Sequence, residues 1–212
     1  MKPIVVVGAG GHGKVVADAA LASGHEVLGF VDDARAAGEV VLEGGNARLV
    51  VLGDLEWLLG RPPIAVVIGI GNNPVRERLA SSCLAAGHIL PVVTHPTAVV
   101  SRFATIGAGT VVMAMAAVNP ATRLGRGCIV NTGAVIEHDC SVGDFSHVSP
   151  NATLSGGASV GNVSHIGSGA TLLPLVSVGS NTTVGAGAVV HRPVGDGVVV
   201  AGVPARKLRP SS

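Results

Sequence analysis

The sequence predicts an α/β, Rossmann-like half domain over residues 1–95, followed by an all-β, left-handed parallel β-helix over 96–212. Three observations carry this prediction. An aliphatic residue recurs at every sixth position through the second half. A strand, a glycine loop and a helix open the first half. The composition is lopsided, with 31 glycines and only 2% aromatic residues in a chain of 212.

Hydrophobic residues at 48% against 13% charged residues give ample material for a core. A formal net charge of +1 and the absence of Tyr argue against a nucleic-acid binder built from basic patches and stacking aromatics. No apolar run approaches the roughly 20 residues of a membrane helix. The opening run "IVVV" is too short for a signal peptide and leads straight into glycines. Cys83, Cys128 and Cys140 show no CxxC spacing, which fits a reducing, cytoplasmic setting.

In the first half, residues 4–7 read as a buried strand, "GAGGHG" (8–13) as a loop, and 14–23 as a helix ending at Gly24. A second strand over 26–33 ends in Asp32 and Asp33. This is a β–loop–α–β unit with GxGxxG opening the helix and acids about 20 residues further on, as a dinucleotide-type site requires. The loop glycines permit close approach of a phosphate, and the helix N-terminus favours an anion. Gly10, Gly11, His12, Asp32 and Asp33 are the candidate ligand residues. A later strand (64–71), a helix (73–87), a final strand (88–93) and a joint, "THPTA" (94–98), complete the unit. It has the size of one mononucleotide half, enough for one nucleoside diphosphate.

From Val100 to Val190, every sixth residue is Val, Ile or Leu, and two positions before each, from Ala104 on, sits a small side chain or, at 176, Val. A period of six fits a three-sided prism in which each face consumes one hexad and eighteen residues close a coil. Five coils stacked at about 4.8 Å would stand roughly 25 Å tall. Gly follows the aliphatic residue at 107, 125, 143, 161, 167, 179 and 185, where it is expected to supply turn conformations that other residues resist. Cys128 and Cys140 fall at the small corner position and read as packing residues. No hexad carries an insertion, so no long loop leaves the prism.

The charged stretch "IEHDC" (136–140) interrupts this pattern. His138 comes two positions after inward-facing Ile136, so its side chain can face out. One coil away in either direction stand Pro120 and Gly156, and Asp139 has Ala121 and Gly157, so the histidine stands on a face cleared of bulk. His147 and His165 are eighteen apart and stack in one column. With His138 of a neighbouring prism they could form a three-histidine zinc site of the carbonic-anhydrase type, although a nucleotide-binding half has no place in such an enzyme. A non-catalytic scaffold would be expected to carry regular polar ladders on its faces.

Taken together, the GAGGHGK loop, the "HPTA" junction, "NTGAVIEHDC", "SHVSP" and the terminal "VVVAGVPARKL" resemble the bacterial sugar acyltransferases with hexapeptide repeats. These include UDP-4-amino-sugar and GDP-perosamine N-acetyltransferases and sialic-acid O-acetyltransferase-like relatives. The resemblance spans essentially the whole chain. It implies acetyl-CoA as cosubstrate with no metal, a nucleotide-amino sugar as acceptor, and a homotrimer with active sites at subunit interfaces. By motif, His138 falls on the catalytic base and Asp139 on its acidic partner, where some members carry Glu. Asn131 falls on a polar active-site residue and His147 on a contact to acetyl-CoA, while Ser168 and Ala186 map near backbone contacts to pantetheine. The implied reaction is attack of a sugar amine on the thioester, with imidazole accepting the proton. O-acetylation of a sugar or sialic acid is the alternative.

Overall fold

The computed structural model describes residues 3–45 and 47–208. The chain divides into two compact units between Pro96 and Thr97.

In the first unit, β1 (Ile4–Val7) is buried throughout and pairs in parallel with β2 (Val27–Val31) on one side. On its other side lies β5 (Ala65–Ile68), also parallel and fully buried. An unbroken apolar run is what a strand covered on both faces requires. Helix α1 (Gly11–Ala22) follows β1 directly, and Gly24 closes it with a left-handed backbone (φ 80°). Helix α3 (Asn73–Ala85) starts with the side chain of Asn72 accepting the N–H of Val75, and Pro74 lies in its first turn. Residues 34–63 add elements that the periodicity did not reveal. A hairpin of β3 (Val40–Gly44) and β4 (Ala47–Gly53) joins the sheet through β4, and a short helix α2 (Leu55–Leu59) is capped by Asp54. The sheet order is β3-β4-β2-β1-β5.

The strand expected over 88–93 is not continuous. Ile89 makes a single bridge to Ala65, and only Val93–Thr94 is a strand. Pro91 has no N–H to give a ladder and interrupts the run.

The second unit is the left-handed β-helix. From Val99 to Val190 its strands are two residues long and pair in parallel with the residue eighteen further on, as in Val118↔Ile136 and Ile136↔Leu154, while the last coil is shorter, Thr183 pairing with Val199. One face carries 99–100, 117–118, 135–136, 153–154, 171–172 and 189–190. The next carries 105–106 through 177–178, and the third 111–112 through 183–184. The aliphatic series fills the interior: Ile136, Leu154, Ile166 and Leu172 are fully buried.

The small corner residues form three columns, each with its own logic. One is Ala at 116, 134, 152, 170 and 188, all fully buried. Another runs Thr110, Cys128, Ser146, Ser164, Thr182 and is a hydrogen-bonded ladder. Thr110 donates to the carbonyl of Gly125, Ser146 to Gly161, Ser164 to Gly179 and Thr182 to Gly195. The same oxygens accept backbone N–H groups from the coil above: Cys128 to Thr110, Ser164 to Ser146, and Thr182 to Ser164. Buried hydroxyls cost little when both roles are filled. In this ladder Cys128 places its thiol 3.2 Å from the Gly143 carbonyl. In the third column Cys140 places its thiol 3.3 Å from that of Ser155.

The glycines that follow the aliphatic residues have a different reason from the one expected. None of them has a left-handed backbone. That conformation falls three residues after each aliphatic position from Ile106 to Val184, at Gly109, Met115, Ala121, Gly127, Gly133, Asp139 and onward, and many of these residues carry side chains. The glycines are required for space. A Cβ on Gly143 would lie 2.6 Å from the Asn162 backbone nitrogen and 2.7 Å from the Gly161 carbonyl carbon, and Gly125, Gly161 and Gly179 meet the next coil in the same way. Beside this glycine column runs a second ladder. Asp144 accepts the Arg126 N–H, Asn162 that of Asp144, Ser180 that of Asn162 and Asp196 that of Ser180.

Candidate active site

His138 and Asp139 stand at the corner that follows the strand Val135–Ile136. The Glu137 N–H ties the chain to the Leu154 carbonyl of the coil above, and the Asp139 N–H ties it to the Pro120 carbonyl of the coil below. Between these anchors the chain turns through Asp139, whose φ of 60° Asp tolerates better than most residues. The turn folds the carboxylate back onto its neighbour, and Asp139 Oδ2 lies 2.8 Å from His138 Nδ1. A carboxylate can only accept, so Nδ1 carries the hydrogen and the Nε2 lone pair is available. Nε2 and Cε1 lie over Gly156, and both side chains are well exposed, at 63% and 66%.

The other residues singled out in the second unit lie elsewhere on the prism. His147 belongs to the third face, opposite the His138 corner, and is buried. Asn131 Oδ1 accepts the Thr132 N–H, so its amide nitrogen donates to His147 Nε2 at 3.0 Å. The His147 ring packs against His165, centroids 4.8 Å apart, and His165 Nε2 lies 2.9 Å from Ser149 Oγ. Ser168 and Ala186 are exposed and stack at the corner following that face, where the Gly187 N–H bonds to the Ser168 carbonyl. Within one chain the candidates therefore form two groups on different edges, His138–Asp139 and Asn131–His147–Ser168–Ala186. Among the described residues, no three His, Cys, Asp or Glu side chains gather as a metal site.

In the first unit, the glycine loop joins β1 to α1. Gly13 packs so tightly that a Cβ would fall within 2.9 Å of the Gly8 carbonyl carbon, whereas a Cβ on Gly10 or Gly11 would meet nothing within 4 Å. Gly10 caps α1 without a side-chain hydrogen bond, so the helix presents its first N–H groups beside two open glycines. Asp32 braces this loop, accepting the Ala9 N–H on Oδ2 at 2.8 Å and the Ala34 N–H on Oδ1 at 2.9 Å. Asp33 is exposed and accepts the Leu55 N–H at 2.8 Å. Both acids line a cleft of about 200 Å³ at the strand ends, floored by Val7, Gly8, Val31 and Ile70 and flanked by Arg78. Gly10, Gly11 and His12 are not among its lining residues.

His12 is a partly buried ring whose pKa is lowered to about 4, first by burial and then by the charge of Arg76. It therefore enters the loop as a neutral hydrogen-bonding group and gives a phosphate no charge. Folding favours the neutral ring, while in the unfolded chain it titrates near its ordinary value of 6.5. The resulting stability is fully present above about pH 6.5 and is lost as the pH falls towards 4, up to about 3 kcal/mol. Unfolding midpoints in urea at pH 7 and pH 4.5 should show this loss in the wild type and a smaller one in His12→Gln. Equal losses in the two proteins would place the acid sensitivity elsewhere.

Fold and site together define a hexapeptide-repeat β-helix protein preceded by a Rossmann-like half domain. Residues 3–83 match the PglD N-terminal domain. A UDP-N-acetylbacillosamine N-acetyltransferase of Bacillus subtilis (strain 168) is 40% identical over 126 residues, and the match spans 54% of this chain and about half, 52%, of that relative. The acetyltransferase domain of PglB from Neisseria gonorrhoeae FA1090, solved also with acetyl coenzyme A, superimposes with a TM-score of 0.91 at 40% identity, over 98% of this chain and 100% of that one. PerB from Caulobacter crescentus, in complex with CoA and GDP-perosamine, gives a TM-score of 0.90 at 37% identity, over 99% of this chain and 98% of that one. The chain belongs to the bacterial sugar acyltransferases with hexapeptide repeats.

Proposed function

We propose that this protein transfers the acetyl group of acetyl-CoA to the amine of a nucleotide-activated amino sugar, a UDP-4-amino sugar being favoured. The observation that carries the reading is the His138–Asp139 pair, with Nδ1 held by the carboxylate and Nε2 facing out over a glycine. Acetyl-CoA supplies an acyl group activated as a thioester. His138 Nε2 takes the proton from the amine as its nitrogen bonds to the acyl carbon, and Asp139 stabilises the imidazolium. As the carbon–sulfur bond breaks, the same nitrogen returns the proton to the departing thiolate. The PglB domain with acetyl coenzyme A and PerB with GDP-perosamine support the two substrate classes. Incubation with acetyl-CoA and a panel of UDP- and GDP-amino sugars, read by mass, tests this. A mass gain of one acetyl group that survives mild alkali, as an amide does, is expected; a gain lost to mild alkali, as from an ester on a sugar hydroxyl, would make the protein an O-acetyltransferase.

The first unit is assigned the nucleotide. Open space at Gly10 and Gly11, uncapped helix N–H groups and the Asp32–Asp33 cleft support this. Gly11→Val should weaken binding of the nucleotide sugar by calorimetry while leaving acetyl-CoA binding unchanged. Equal loss of both ligands would remove the assignment.

Because His138–Asp139 and Asn131–His147–Ser168–Ala186 lie on different edges of one prism, a single site using all of them needs two chains. We assign a homotrimer with acetyl-CoA between neighbouring prisms, His147 contacting it and Asn131 orienting His147. Leu175, 81% exposed, and Phe103, 71%, are apolar surface available for such an interface. Light scattering at micromolar concentration should give three times the chain mass, and a stable monomer would contradict the shared site.

A further inference from the structure

Gly156 stands one coil beyond His138 in the same column, the coils pairing at intervals of eighteen. A Cβ built on it would lie 2.7 Å from His138 Cε1 and 2.8 Å from Nε2, with Cδ2 next at 3.5 Å. Its three nearest neighbours are thus all atoms of one ring, and the nearest two lie closer than real Cβ contacts allow. No left-handed backbone demands glycine here. The surrounding glycines differ. Gly157 has a φ of 70° and would also meet Leu175, while Gly143 and Gly161 would strike the backbone of the next coil. At Gly156 the only group that must move to admit a side chain is an exposed, rotatable imidazole.

We propose that Gly156 is a positioning residue for the acetyl transfer: its missing side chain is the seat that lets His138 lie against the wall of the prism with Nδ1 on Asp139 and Nε2 outward. This rests on the reading of His138 as the base. A methyl group at 156 would push the ring off its seat. It would either break the 2.8 Å contact with Asp139 or carry Nε2 away from the acceptor amine. Because the ring can swing into solvent, the fold has no reason to suffer. The cost falls on the geometry of proton transfer, where a displacement of about 1 Å can cost on the order of 10²-fold in rate.

The test is Gly156→Ala in the full chain, alone and combined with His138→Ala. Alone, it should leave the melting temperature unchanged or slightly raised, and lower kcat by about 10- to 100-fold. The KM values for acetyl-CoA and nucleotide sugar should change little. The ring nitrogen NMR signals of His138 should depart from the Nδ1-protonated pattern of the wild type. Added to His138→Ala, the same change should cost nothing further, because it acts through a ring no longer there. An equal penalty in both backgrounds, wild-type His138 signals in Gly156→Ala, or a lowered melting temperature would each overturn the proposal. If His138→Ala itself keeps full turnover, the general-base reading fails, and the NMR comparison still decides whether Gly156 seats the ring.

Discussion

His138→Ala is expected to lower turnover of a 4-amino nucleotide sugar at pH 7 by about 10²–10⁴-fold, the usual contribution of a positioned general base. The side chain is 63% exposed, so the melting temperature should hold. Asp139→Asn should cost less, since it removes the charge that stabilises the imidazolium and weakens the hold on Nδ1 but leaves Nε2 able to take the proton. The His138→Ala defect should shrink at high pH, where more of the substrate amine is already neutral. Rescue should stay partial because the nitrogen still sheds a proton after it attacks. Near wild-type turnover of His138→Ala at pH 7 would assign the base to another group, with His147 the next to test.

The largest effect on stability is expected from a single methyl group in the glycine column. Gly143→Ala places a Cβ 2.6 Å from the Asn162 backbone nitrogen and 2.7 Å from the Gly161 carbonyl carbon. Neither atom can rotate away, so the two coils must separate, and the ladder from Asp144 to Asn162 runs through this contact. A loss of at least about 3 kcal/mol is expected, at the upper end for overpacking. Gly169→Ala, also in the prism, has nothing within 4 Å of its Cβ position and should suffer only the smaller strain of its left-handed backbone. Denaturation midpoints of the two variants decide the point. Equal losses would mean that the approach of the next coil does not fix the glycine at 143.

These two cases also mark what can be read from the sequence and what cannot. The six-residue period identified the interior, because a parallel coil repeats the same environment at a fixed spacing and only aliphatic side chains fill it. It could not say why glycine follows the aliphatic residue at 143 and not at 137, since that depends on how closely the next backbone passes. The His138–Asp139 pair is legible as an outward cluster, but the 2.8 Å contact depends on the left-handed turn at Asp139, which the residue type permits and does not fix. In the first unit, Asp32 has a second task that spacing alone does not reveal: one oxygen braces the glycine loop at Ala9 and the other its own turn at Ala34. The hairpin at 40–53 escapes the search for periodicity, although "VVLEGGNARLVVL" carries a signal, two apolar runs around a pair of glycines. At 88–93 a hydrophobic run was read as a strand despite the proline within it.

The eighteen-residue pairing makes the prism a screw thread on which the side chains ride. Residues 138, 156 and 174 sit on one line of that thread, so Pro174 is two turns, about 10 Å, from His138. Adding a whole turn between them would lengthen that separation by about 4.8 Å without rotating either end. Adding one hexad would instead turn everything beyond it by a third of a revolution, carrying Pro174 to another edge. Evolution can therefore tune the reach of such a protein only in whole-turn steps, and a single-hexad change would part residues that must act along one line.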